Sequence, residues 1–352
     1  MQQKKLFDAL EKRTSMRVVR RVLVQNGFPR GQGWDSIKSK MKDKKVEANA
    51  DFHGLEKGLG ELLIAGDKGV RVFEVDNKNI SAIRKLALGL KIDQTNVFAV
   101  NFPYLVSDKV LATLPPQPMT PVAKFQGPQG LGVLFSSINV IEVREKLNAA
   151  QIGATAANYD EVFGIRRVKS QTFNALIVSK TKDYAYILTD AHHDTTQGTR
   201  QGLHSEVRKT VNTLAGAKIL NKPLNLLPLI ERIYNSPEGL VKRLHYTTTT
   251  ETGNQQWRRG SGNCLRDELA HKAAMTALAG GYKGYAIEVE YPLSEVNGYT
   301  PRPHIEIIGL YRMTYELDPC VEDATISGCA TVEELEKTLA ELMVHVTGIK
   351  SI

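Results

Sequence analysis

FNALIVSKTKDYAYILTD, residues 173–190, reads as two strands and a turn. Phe173, Ala175 and Ile177 alternate on one side of Lys180-Thr181-Lys182, and Tyr184, Tyr186 and Leu188 alternate on the other. Period-two alternation puts each set on one face of a sheet, and a short polar link between two such runs closes an antiparallel hairpin. Downstream, GYAIEVEY (Gly284–Tyr291) and HIEIIGLYRMTYE (His304–Glu316) read as two more long strands. The link between them, PLSEVNGYTPRP, suits an antiparallel connection. Leu240–Thr250, rich in Thr, Val and Tyr, is a further β-prone run. Upstream, strands are expected at Gly69–Val75, at Asn96–Phe102, and at Val122–Phe125 and Gly132–Val143 about the turn GPQG, with a strand or turn pair at Val162–Val168.

Helices fall between these runs. Ile80–Leu90, Thr199–Ala215, Leu224–Tyr234 (broken near Pro228) and Cys264–Ala279 carry helical spacing, the last stopping at Gly280-Gly281. Thr331 followed by Glu334 is a capping box for a final helix bearing Val332, Leu335, Leu339 and Leu342. Leu105–Leu114 is helical or extended and ends in PPQPMTP, whose prolines exclude a helix. Near the start, Lys4–Lys12, Met16–Gln25, Trp34–Met41 and Phe52–Ile64 read as four short helices, the second and third separated by the turn NGFPRGQG. KDKKVEANADFHG, before the fourth, reads as loop. Strands joined by polar loops, with helices that do not follow each strand singly, predict an α+β fold: a largely antiparallel or mixed sheet with flanking helix pairs, preceded by a small basic helical domain. Three domains are expected, at 1–66, 67–170 and 171–352.

The chain has 352 residues, 42% of them hydrophobic, enough for a substantial core. Its net charge of +8 is concentrated: residues 1–45 hold thirteen Lys or Arg against four Asp or Glu, and the remainder is near neutral. Such a segment favours an anionic partner. Cys264, Cys320 and Cys329 have neither disulfide-framework number nor zinc-ligand spacing. No stretch of eighteen apolar residues predicts a membrane span, and MQQKKLFDAL lacks a signal-peptide core. A cytoplasmic, nucleoid- or nucleus-associated protein, not a secreted one, is expected.

The chemistry points mainly to phosphate. Glu238–Gly281 combines the β-prone run with a polar loop carrying Trp257, Arg258, Arg259 and Gly-Ser-Gly, directly before a helix N-terminus. Cations, an aromatic plane and free backbone N–H groups are the parts of an anion site. The residues expected to hold nucleic acid are Arg17, Arg20, Arg21, Lys38, Lys42, Lys242, Arg243, Trp257, Arg258, Arg259 and Arg266, with Arg200, Arg208 and Lys209 as an extension. They would grip the backbone with little sequence selectivity. Two alternatives stand beside this. Asp190, His192 and Asp194, with Glu288 and Glu290 from later strands, have the residue types of a metal-dependent nuclease, the one reading that requires a divalent metal. No lysine follows those carboxylates at nuclease spacing, and the polar face of an antiparallel sheet with a surface loop accounts for them better. The other alternative is a structural or regulatory module binding an acidic protein surface or a second copy of itself. No catalytic residue is assigned, and QGPQGLG (126–132) matches neither the dinucleotide fingerprint nor the P-loop.

Overall fold

The computed structural model describes residues 2–148, 159–191, 196–248, 253–258, 263–296 and 298–346. It is an α+β fold built on one ten-stranded sheet in which every neighbouring pair is antiparallel. In chain order the strands are β1 (Lys68–Glu74), β2 (Thr120–Gln126), β3 (Gly130–Leu147), β4 (Val162–Ser179), β5 (Tyr184–Asp190), β6 (Leu240–Thr248), β7 (Asn254–Arg258), β8 (Tyr282–Glu290), β9 (His304–Ile308) and β10 (Ala324–Ser327). Across the sheet the order is β2-β3-β4-β5-β1-β10-β9-β8-β6-β7. The hairpin at 173–190 forms as its alternation requires, with Ala175 opposite Leu188 and Val178 opposite Ala185. The boundary expected between residues 170 and 171 falls inside β4, which runs unbroken from Val162 to Ser179 against β3.

Both sheet faces are used, but unequally. On the first face Val70, Val72, Phe173, Ala175, Ile177, Ile287, Val289, Ile305 and Ile307 form one core with the N-terminal helices α1 (Gln2–Arg13), α2 (Met16–Gln25), α3 (Trp34–Lys40) and α5 (Phe52–Ala65), a short α4 (Lys44–Ala48) preceding the last. Later helices, α10 (Leu229–Asn235) and α12 (Val332–Val346), supply Ile230, Ile233, Leu335, Leu339 and Leu342 to the same core. Each fully buried Leu or Ile contributes about 1.5–3 kcal/mol, so this shared core joins the N-terminal helices firmly to the sheet. On the second face α6 (Asn77–Gly89) and α9 (Gln197–Ala215) cover β1, β3, β4 and β5 through Ile80, Ile83, Leu203, Val207 and Val211. Beyond β1 that face turns polar: Arg243, Glu288, Glu306 and Thr325 stand in register across β6, β8, β9 and β10.

Local chemistry explains the joints. Gly58 of α5 lies under α2, where an added Cβ would come within 2.5 Å of the Val22 side chain; glycine permits the close approach of the two helices. At the end of α1, Asp190 binds Lys68 Nζ at 2.6 Å and the Phe173 N–H at 2.7 Å, and also accepts from Arg13. The helical unit is thus tied to the sheet by a buried ion network as well as by apolar packing.

Several expected elements differ. The run Asn96–Phe102, expected as a strand, is instead a single helical turn, α7 (Val97–Asn101), because the Asn96 side chain caps it by accepting from the Phe98 N–H. A short apolar run does not distinguish the two by period alone. The strand expected over His304–Glu316 stops at Ile308: Gly309 donates to the Tyr285 carbonyl and the chain enters a 3-10 turn at Tyr311–Tyr315. The loop expected around Trp257 and Arg258 is the edge strand β7. The helix expected from Cys264 begins as a 3-10 turn, Leu265–Asp267, and continues as α11 (Leu269–Leu278), whose first turn is capped by Glu268. The segment 42–54, expected as loop, includes α4; Leu105–Leu114, expected as helical or extended, holds a helix, α8 (Asp108–Thr113).

Candidate functional site

α2 is amphipathic for a plain reason: Val18, Val19, Val22 and Leu23 fall on its inner side and are buried, which turns Arg17 and Arg20 outward. The loop after it and α3 bring Arg30 and Lys40 to the same place. Opposite stands the tip of the β8–β9 connection, where Val296 and Tyr299 bridge to each other and Gly298 takes φ +74°, a left-handed turn that glycine adopts without strain. Between these walls lies a cavity of about 900 Å³ lined by Arg17, Arg20, Arg21, Arg30, Lys40 and Tyr299, with Val24, Gln25, Gln32 and Ser36. Five cationic side chains border it, and among the described residues no carboxylate does.

The five do not play one role. Arg21 is buried, donates to Glu334 at 3.0 Å and to the Gly328 carbonyl at 2.6 Å, and lies 4.9 Å from the centre of the Tyr299 ring. It is a strut that fixes the aromatic wall. Lys40 is oriented by donating to the Arg30 carbonyl at 2.7 Å. Arg17, Arg20 and Arg30 are exposed and have no ion-pair partner among the described residues. Concave, like-signed and water-facing, the cleft is arranged to attract a multivalent anion.

The other expected contacts are placed elsewhere. Lys38 pairs with Glu11 at 2.9 Å, and Lys42 is exposed just beyond α3. Lys242 is buried at a bulge in β6, donating to the Asn263 carbonyl and lying 3.7 Å from Glu290. Arg243 lies 3.7 Å from Glu288 and pairs with Glu306. Arg266 donates to the Glu238 and Gly239 carbonyls. Trp257 is partly buried at the margin of the core and packs on His271, ring centres 5.2 Å apart. Arg258 is exposed on the edge strand, and Arg259 lies outside the described residues. Since Arg243 alternates with the core-facing Leu244, it occupies the sheet face opposite the N-terminal helices. The cations of α2 and of β6 therefore do not form one surface. A second hollow of about 650 Å³ gathers Arg208, Lys209, Lys218 and Lys222 around the end of α9.

The carboxylates expected to share a metal are likewise apart. Asp190 faces the first core, and β1, β10 and β9 separate its strand from β8, where Glu288 projects from the opposite face. Burial raises the Asp190 carboxyl, but Arg13 and Lys68 beside it outweigh that and hold it below the usual range. Glu288 accepts from His304 Nδ1 at 3.0 Å, a bond that holds its carboxyl down, and Glu290 pairs with Arg302 at 2.7 Å. His192 and Asp194 lie outside the described residues. Among the described residues no three His, Cys, Asp or Glu side chains are arranged to hold a metal ion, and no helix is long and apolar enough to cross a membrane.

Sequence reading did not single out Arg30, Lys40 or Tyr299. The first two belong to the basic segment, but Tyr299 is distant along the chain and joins them only through the docking of the β8–β9 connection on α2.

No family model and no curated protein matches this chain. A solved structure described as that of an RNA-binding light-oxygen-voltage receptor aligns over 80% of this chain and 99% of that one at 10% identity, with a TM-score of 0.09, which carries no argument.

Proposed function

We propose that this protein binds nucleic acid by its phosphate backbone, with little sequence selectivity, and that the cleft between α2, α3 and the β8–β9 connection is where it does so. One observation carries the reading: five cationic side chains line a single concavity with no carboxylate among the described lining residues. Guanidinium groups match phosphate oxygens in bidentate fashion. Phosphate contacts of this kind fix position without reading bases. The hydrolytic alternative gains no support from Asp190, whose oxygens are taken by Arg13, Lys68 and Phe173.

The test is fluorescence anisotropy of a labelled random-sequence oligonucleotide across salt. With Arg17, Arg20, Arg30 and Lys40 each neutralising one phosphate, affinity should fall about 50- to 150-fold between about 50 and 200 mM salt. Arg20→Ala should lower the slope of log affinity on log salt by roughly 0.7–0.9. All four side chains are exposed, so the substitutions leave the fold intact. A salt-independent affinity, or no retention at the lower salt, would overturn the assignment.

A further inference from the structure

Building on that reading, we infer that the cleft is shaped for a flexible single strand rather than a duplex, with the Tyr299 ring as the surface on which one base lies. An element that enters the major groove of a duplex, about 12 Å wide, has to project from the protein surface. α2 does not project. Its inner side is buried and its arginines open into a hollow closed opposite by Val296 and Tyr299. The cations come from α2, the following loop and α3, so they line one wall of a hollow instead of lining up along a rod. A single strand, whose phosphates are free to turn, satisfies that arrangement.

The aromatic wall is the second observation. Tyr299 is 39% exposed, and Arg21, itself pinned by Glu334 and the Gly328 carbonyl, holds its ring. A fixed, partly exposed aromatic plane beside cations is how single-stranded nucleic acid is bound without regard to sequence. The volume of about 900 Å³ lies near the top of the range for ligand pockets, room for a short run of nucleotides. Gln25, Gln32 and Ser36 add neutral hydrogen-bonding groups within reach of base edges.

The experiment compares one short oligonucleotide, its blunt duplex and inorganic polyphosphate at a single salt concentration. The single strand should bind about tenfold more tightly than the duplex. Tyr299→Ala should weaken the strand about tenfold, as the loss of one stacked base does, and leave polyphosphate unchanged. Tyr299→Phe keeps the ring and should keep the affinity. If duplex binds as well as strand, or Tyr299→Ala leaves the strand unaffected while Arg20→Ala weakens strand and polyphosphate alike, the single-strand inference fails and the phosphate reading survives. If neither strand nor polyphosphate binds, both fail.

Discussion

Replacing Asp190 with alanine should damage stability more than any other single change at the junction of helices and sheet. The carboxylate accepts from Lys68, Arg13 and the Phe173 N–H, and the side chains of Lys68 and Arg13 are 1% and 12% exposed. Asp190→Ala leaves the Lys68 and Arg13 cations without this counter-charge and the buried Phe173 amide without its acceptor. Removing one member of a buried ion pair costs about 3–5 kcal/mol. At roughly 2.1 cal/mol/K per residue, a 352-residue chain that melts cooperatively has an unfolding entropy near 0.7 kcal/mol/K, so the midpoint should drop by about 4–7 °C. Calorimetry at neutral pH measures this. A variant with apolar residues at all three positions, Arg13→Met, Lys68→Met and Asp190→Leu, should regain most of the loss, because it strands no charge. Because the folded carboxyl titrates below its ordinary value, its contribution is complete above the unfolded pKa and is lost as pH falls through the folded one. A midpoint for Asp190→Ala within about 1 °C of wild type would show that the network is not a joint at all.

Further changes test other parts of the molecule. Burial, helped by Arg71 and Arg200 and opposed by Asp323, pushes His204 down to about 3, so it meets Asp323 as a neutral ring. From pH 6.5 toward 3 the unfolded chain takes a proton that the native one refuses; stability should fall by up to about 4–5 kcal/mol over that window, and His204→Gln should flatten that limb in urea titrations. Ala279 ends α11 with φ +47°, a left-handed conformation unfavourable to alanine, so Ala279→Gly should stabilise by about 0.5–1 kcal/mol in the same titrations. Gly58→Val would drive a side chain into Val22 across the α2–α5 contact; it should cost about 1–3 kcal/mol and weaken oligonucleotide binding by shifting α2.

How much was legible in the sequence depends on range. Alternation in 173–190 and the Thr331–Glu334 cap are local signals, and both appear in the structure, Thr331 accepting from the Glu334 N–H at 3.2 Å. The sheet's antiparallel character followed from those hairpins. Its order did not: β1 lies between β5 and β10, a placement set by burial on both faces that no local pattern reports. The strand expected through Tyr315 ended early because Gly309 meets the Tyr285 carbonyl, a contact outside its own segment. The candidate site divides in the same way. Arg17, Arg20 and Arg21 were all expected on or near the outer face of one helix; the first two are exposed, but Arg21 is buried against Glu334 and the Gly328 carbonyl. Neutralisation of Arg243 was not, since Glu288 and Glu306 become its neighbours only through register across β8 and β9.

The proposed site for a single strand is the cleft between α2, α3 and the β8–β9 connection. Photo-crosslinking of a single-stranded oligonucleotide to the intact protein, followed by peptide mapping, addresses it directly. Crosslinks should fall on α2, α3 and Tyr299, and vanish in an Arg17→Glu/Arg20→Glu variant that melts like wild type. Crosslinks confined to the hollow around Arg208 and Lys222, or to the β6–β7 edge, and unchanged in that variant, would contradict it.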